Sequence, residues 1–541
     1  SGVAMTRPDV KHGRGGLRDI ELLKALALGN VCDAPPLEEQ HRLLLDIRTL
    51  LHVETRRSRD VLDPECATDI ATHLGFDDRL DLSRALADAA RTIDATLTQA
   101  LTTARHVLRR PRNYRRRPVD LGVVDAGDEL RLSRNQSLDD PGLVLRVGAA
   151  SARTGLPVSA ATWRRLASTP PLPTPWPATA TGDFFALLGS SEHTARVVGD
   201  MDTHGLWERI VPEWVHIRGL MPREPSHINT IDVHCLNTVA NCAHVSVNVS
   251  RPDLLLLAAL FHDIGKGYNR PHSQVGAEMV TRMAARMGLN PRDRMCVQTL
   301  VAEHTLLARL AATHDPWDDA AVDTLLDALH YDLLTVELLQ ELTEADARAT
   351  GPAVWTAHLK HAVTTLANCA RNALTAVHPH KPHVSTPTDL GLTSSGELAH
   401  VHWRGSDIIP ILALIAAKGW NIVTARIVAE RTTVRAEFDV RAMHVGGFNQ
   451  EEFIQGYKSG VFSTLPTLEP AATATHWFGS VLEVRTVDRR GALGALLGVI
   501  PDYTWCTVEL PGSTMIARFH LCGAFDRAAV ERSITRVLAT G

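Results

Sequence analysis

Six side chains able to bind a divalent cation recur along the middle of this chain: His234, the adjacent pair His262-Asp263, His272, His304 and Asp346. Imidazole and ionised carboxylate suit borderline to hard divalent ions, with Mn or Mg the first candidates and Fe or Zn further ones. A carboxylate such as Asp263 can be shared by two ions about 3.5–4 Å apart. Such a pair generates a nucleophile from water and stabilises in-line displacement at phosphorus. Asp263 is therefore the expected catalytic centre of a two-ion site held by all six residues. Lys266, one helical turn beyond His262, would bring a cation to phosphoryl oxygens. His227 could position a substrate, donate a proton or serve only the fold. With 26 His in the chain, a lone His-Asp pair carries little weight. The weight comes from its companions: Asp232-Val233-His234, the stretch from His272 to Glu278, and Glu303-His304.

Rigid elements must hold these groups. The stretch Leu254–Phe261 is apolar at every position and reads as a helix buried on all sides. Ending such a helix with an imidazole, a carboxylate and then Gly265-Lys266-Gly267 serves core packing poorly and serves a phosphate site well. Asp346 falls in a second helical stretch, Leu333–Ala349, whose Leu, Val and Ala form an apolar face.

Several phrases around these residues are particular: Ile210-Val211-Pro212-Glu213-Trp214, His227 to His234, Leu257 to Lys266, His272-Ser273 with Gly276-Ala277-Glu278, and Ala345 to Trp355. Together they resemble the HD phosphohydrolase domain of the bifunctional PII uridylyltransferase/uridylyl-removing enzymes. The resemblance implies hydrolysis of a nucleotidyl group, UMP or AMP, from a tyrosine of the PII nitrogen-signalling protein. AMP enters because abundant Ala and Arg match GC-rich genomes, and actinobacterial members are associated with AMP. Near the start, Lys11 to Ile20 resembles the phrase that follows the nucleotidyltransferase core of the same enzymes; by themselves, Gly13 to Gly16 could equally serve phosphate or a turn. The Gly-Ser and Asp-x-Asp phrases of that core do not precede Lys11, and Ser1-Gly2 reads as a tag-cleavage scar. The chain is thus expected to keep removal and lack transfer. Gly189-Ser190 followed by Asp200-Met201-Asp202 has similar spacing but sits in what reads as helix and turn, and is not expected to be catalytic.

At 541 residues, three or four domains are expected. The fold class is multidomain: a mainly α part with a helical N-terminal region and the HD domain, followed by α+β tandem ACT domains. Expected boundaries are a helical region over 1–120, a connecting helical region over 121–205, the HD domain over 206–376, a linker over 377–388, and ACT repeats over 389–470 and 471–541. The basic stretch Arg105–Arg117 reads as a solvated connector. The Pro-rich stretch 168–177 reads as a break, and the His-rich linker 378–383 as adventitious in its metal affinity.

Beyond that linker the pattern alternates as strands with two helices in each repeat, β-α-β-β-α, beginning at Leu398 and again at Val481. This resembles ACT domains, which implies glutamine as effector. The expected effector residues are Asp488, Arg489 and Gly491 in the second repeat and Asp407 in the first, a looser match. A net charge of −5 gives no global pull toward nucleic acid, and no apolar run suits a membrane. Eight Cys without paired spacing suit a reducing, cytoplasmic compartment. Two alternatives stand beside this reading: an HD phosphohydrolase of a small nucleotide, and a non-catalytic scaffold that binds PII and glutamine.

Overall fold

The computed structural model describes residues 6–108, 116–222, 226–374, 382, 384, 389–430, 432–442, 448–461 and 464–539. Most of the basic stretch and nearly all of the His-rich linker lie outside the described residues. Among the described residues, no helix is long and apolar enough to cross a membrane.

The first four helices, α1 (Leu17–Leu28), α2 (Glu38–Thr55), α3 (Pro64–Leu74) and α4 (Arg79–Leu108), enclose their own core around Leu23, Ile47, Leu51, Ile70 and Leu82. A small antiparallel sheet follows, β1 (Arg117–Asp120), β2 (Val123–Asp125) and β3 (Leu130–Leu132), in a region expected to be helical. Its strands are too short to show a period-2 pattern.

A large helical body comes next. It begins with α5 (Leu143–Thr154), α6 (Ala160–Leu166), α7 (Ala178–Leu188), α8 (Thr194–Thr203), α9 (Trp207–Ile210) and α10 (Trp214–Ile217). It continues through α11 (Ile231–His244), α12 (Pro252–Phe261), α13 (His272–Arg286), α14 (Pro291–Ala302), α15 (Leu306–Thr313) and α16 (Asp319–Ala328). The long helices α17 (Leu333–Thr350) and α18 (Ala357–Ala373) complete it. One continuous core runs through all of it, from Val123 to Ala370.

The central helix is α12. Pro252 at its first turn lacks only an N–H that would have no helical partner. Every residue from Pro252 to Phe261 is buried, so the helix packs in the round against α11, α13, α14 and α17. Its start is anchored by Arg251, which donates to Asp253 at 2.9 Å and to Asp293 of α14 at 2.9 Å.

The C-terminal part is an antiparallel eight-stranded sheet with helices on one face. Its first half is β4 (Leu390–Ser395), β5 (Leu398–Gly405), α19 (Ile409–Ala417), β6 (Trp420–Ala429), β7 (Val434–Ala442) and α20 (Gln450–Lys458). Its second half repeats the order as β8 (Thr473–Phe478), β9 (Val481–Val487), α21 (Ala492–Leu497), β10 (Tyr503–Glu509), β11 (Thr514–Leu521) and α22 (Arg527–Leu538). The spatial order is β4-β5-β7-β6-β10-β11-β9-β8, joined at the centre where Val428 pairs with Trp505 and Thr424 with Glu509. Each half carries one strand more than the sequence pattern predicts. The additions β4 and β8 are the sheet edges: β4 ends on three exposed residues and β8 is half-buried throughout, so neither alternates cleanly.

A buried charge network fastens sheet to helical body. Arg146 of α5, only 1% exposed, donates to Asp140 at 2.7 Å and to Glu397 of the β4–β5 turn at 2.6 Å. Arg441 at the end of β7 donates both Nη atoms to Asp183 of α7, each at 3.0 Å. Removing one member of such a network strands its partner's charge. Asp183→Ala is expected to cost about 3–5 kcal/mol in denaturant unfolding followed by Trp fluorescence, and an unchanged midpoint would contradict this account.

Candidate metal centre

The side chains singled out in the middle of the sequence converge at the C-terminal end of α12. His234 projects from α11, and Asp346 from the fourth turn of α17. His262 and Asp263 follow directly on Phe261; His272 opens α13 and His304 lies just past α14. The chain leaves α12 in a series of turns, so Lys266 reaches the site by a turn and not by continued helix. Gly265 makes the next approach possible: a Cβ there would lie 2.2 Å from the His272 carbonyl oxygen and 2.8 Å from the Gly276 nitrogen.

The two oxygens of Asp263 face different groups. Oδ2 lies 3.5 Å from His234 Nε2, 3.6 Å from His262 Nε2 and 3.0 Å from Lys266 Nζ. Oδ1 lies 3.6 Å from His272 Nε2 and 3.8 Å from His304 Nε2. Asp346 Oδ1 stands 3.0 Å from His234 Nε2 and 3.6 Å from His262 Nε2. Two sub-clusters therefore meet on one carboxylate, His234-His262-Asp346 on one side and His272-His304 on the other. His227 Nε2 is 3.9 Å from Asp263 Oδ2 and 3.3 Å from Lys266 Nζ. The rings of His234 and His304 are buried, whereas the side chains of His272 and Asp346 are 35% and 25% exposed and form the opening.

Two contacts fix how the imidazoles present themselves. His262 Nδ1 donates to the Ala259 carbonyl at 2.8 Å, and His304 Nδ1 to the Val301 carbonyl at 2.9 Å. Each bond turns Nε2 toward the carboxylates, the orientation metal-ligating histidines adopt. Burial opposes a charge on His262, but Asp263 and Asp346 raise its pKa to about 9. Burial and neighbouring His262 lower His304 to about 4, and burial and Lys266 lower His227 to about 4. Although burial pushes both carboxyls up, the surrounding imidazoles, with Lys266 at Asp263, hold Asp263 and Asp346 well below the usual carboxylate range. Ionised carboxylates facing imidazole Nε2 atoms are a donor set that fits divalent cations, which would displace the His262 proton on binding.

The other residues weighed in the sequence fall elsewhere, among them the Asp200–Asp202 phrase not expected to be catalytic. Asp202 of α8 is paired with Arg218, just past α10, at 2.6 Å, and Asp200 lies 3.5 Å from Arg196 on α8 itself, so both carboxylates take part in ion pairs. The Gly13–Gly16 phrase forms the turn into α1, where the Gly15 N–H donates to Asp19 at 2.6 Å. Asp488, Arg489 and Gly491 share the turn after β9. Asn421 of β6 donates to Asp488 at 3.0 Å, and Arg489 donates to the carbonyls of Val487 at 2.8 Å and Leu538 at 2.7 Å. Asp407 occupies the corresponding turn after β5, where it accepts from the Ile409 N–H at 2.9 Å. Sequence reasoning missed the contacts around the cluster. Thr350 donates to the Asp346 carbonyl at 2.9 Å, and the Asn241 amide donates to the Ala345 carbonyl at 2.9 Å.

Comparison with known proteins agrees with this geometry. The HD domain family matches residues 231–349, which span His234 to Asp346. A protein of Corynebacterium glutamicum named bifunctional uridylyltransferase/uridylyl-removing enzyme is 58% identical over 99% of this chain and 78% of its own length. A protein of the same name from Mycobacterium tuberculosis is 36% identical over 98% of this chain and 75% of its own. One from Streptomyces coelicolor is 41% identical over 65% of this chain and 44% of its own.

Equilibrium dialysis against Mn, read by elemental mass spectrometry, is expected to find about two ions per chain. A single ion should remain in His304→Ala and none in Asp263→Ala, whereas equal stoichiometry in the two variants would contradict a shared carboxylate. A second expectation concerns the β9 turn. Burial pushes Asp488 up to about 6 against the opposing Asn421 amide and the Arg153 and Arg489 charges. An acid raised in the folded state stabilises below its ordinary pKa, and that contribution is lost as pH rises through about 6. Asp488→Asn is therefore expected to raise the thermal midpoint by about 2–4 °C at neutral pH and to give no gain near pH 4.

Proposed function

The chain belongs to the family of bifunctional uridylyltransferase/uridylyl-removing enzymes, and on that premise we propose that its HD region removes a nucleotidyl group from a tyrosine of a PII signalling protein. The observation that carries this reading is the Asp263 carboxylate, buried at the end of α12 with each oxygen turned to a different imidazole cluster. Divalent ions held by His234, His262, Asp263, His272, His304 and Asp346, with Mn or Mg favoured, would supply Lewis acidity and an activated water.

The chain's own groups do the rest. The Lys266 ammonium, 3.0 Å from Asp263, is placed to meet charge growing on the phosphoryl oxygens. His227 is neutral at physiological pH and orients Lys266 through their 3.3 Å contact. Tyrosinate leaves without strong acid assistance because its conjugate acid has a pKa of about 10. The relatives' names favour UMP as the group removed; AMP is the alternative that composition raises. The two halves of the C-terminal sheet are read as ACT repeats that take glutamine as effector, with the turn at Asp488, Arg489 and Gly491 and the one at Asp407 as its contacts.

The test is mass spectrometry of nucleotidylated PII protein incubated with the chain and Mn, with and without glutamine. Loss of about 306 Da from the tyrosine is expected for UMP and about 329 Da for AMP. The loss should disappear in Asp263→Ala while its circular dichroism stays that of the parent. No loss of either mass from metal-loaded protein would overturn the reading.

A further inference from the structure

We propose that Tyr268, backed by His216, is a stacking platform for the base of the nucleotidyl group, and so a specificity-determining residue of this site; the proposal rests on the phosphodiester reading above. Among the described residues three large aromatic rings are substantially exposed: Tyr268 at 41%, Trp317 and Tyr331. Leaving such a ring in water forfeits its burial energy, and only Tyr268 lies in the segment that connects Asp263 to His272. That segment begins and ends at the cation-binding cluster, so Tyr268 stands two residues from Lys266 and four from His272, whose side chain is one of the two at the opening. The residues follow the expected gradient, from buried Ile264 through partly buried Lys266 to exposed 267–271.

The ring is exposed but held. Its centroid lies 3.9 Å from that of the His216 imidazole, with the planes 31° apart. His216 is itself fixed to the same turn, its Nε2 donating to the Lys266 carbonyl at 3.1 Å. Gly267 permits this seating: it has φ +88°, and a Cβ there would lie 2.9 Å from both His216 Nε2 and Leu220 Cδ2. One imidazole thus fixes the backbone that aims the Lys266 ammonium at Asp263 and also backs the exposed ring two residues later. A nucleotide whose phosphorus sits at Lys266 carries its base one sugar away, a span that an exposed ring two residues along the chain can meet. Aromatic faces accept bases by stacking whatever the edge pattern, and a purine, offering the larger face, gains more than a pyrimidine.

The test uses the full chain with Mn and three p-nitrophenyl phosphodiesters: the 5′-esters of adenosine and thymidine, and the methyl ester, which has no base. Tyr268→Ala is expected to raise KM for the nucleoside esters about 5–150-fold, more for adenosine, with kcat little changed. The methyl ester should keep its kcat/KM, and Tyr268→Phe should restore the nucleoside esters. Equal losses on all three esters, or no loss on any, would overturn the platform. If the parent protein hydrolyses none of them and also leaves nucleotidylated PII intact, the phosphodiester reading has failed on its own account. Calorimetric binding of AMP against ribose 5-phosphate then decides the platform: an AMP preference lost in Tyr268→Ala supports it, and an AMP affinity unchanged by the substitution overturns it.

Discussion

A carboxylate withdrawn from water has to be answered from every side, and Asp263 imposes that demand on the whole helical body. An ionised carboxyl at the end of an apolar helix is untenable alone, because desolvation of a bare charge costs far more than packing returns. The answer comes from many directions at once. His234 arrives on α11, His272 at the start of α13, His304 past α14, and Lys266 returns by the turn below. The apolar length of α12 is the reverse of the same bargain: a helix lined on all sides by other helices lets several of them reach its tip.

Much of this was legible because metal ligands are side-chain facts. Imidazoles and carboxylates announce themselves by type, and the apolar run ahead of His262-Asp263 announces a buried helix. What stayed hidden depends on backbone or on distance. The carbonyls of Ala259 and Val301, which orient His262 and His304, have no side-chain signature. Lys266 was expected a helical turn beyond His262 and instead follows a break in the helix, since two nearby glycines let the chain fold back. The strands β4 and β8 were missed because an edge strand has one partner and weak alternation. The Arg441–Asp183 pair spans 258 positions of sequence, and no local pattern encodes it.

The junction of sheet and helical body carries a set of charged contacts. Arg146, Arg441 and Asp183 form one largely buried set of charges with the part-exposed Glu397, and Arg485 of β9 reaches Glu337 of α17 at 3.3 Å. Glu337 also accepts from the Ser250 N–H at 3.0 Å, just ahead of α12. The strand that leads into the Asp488 turn therefore holds the helix that carries Asp346. This is a direct contact between the C-terminal sheet and the helix that carries part of the cation-binding cluster; coupling in the thermodynamic sense requires two states that both sites bias.

The seam between β6 and β10 has a bearing on how the molecule can be dissected. Each half of the sheet has spent one of its two borders on the other half, and only β4 and β8 remain as outer borders. A cut made between the repeats, at the stretch separating α20 from β8, would leave two raw margins of unpaired amides and carbonyls, the kind of template on which chains assemble indiscriminately. The smallest portion of the C-terminal region that can be handled as a free-standing object is for that reason the pair, and a fragment library tiled half by half would report on aggregation instead of on the folded sheet.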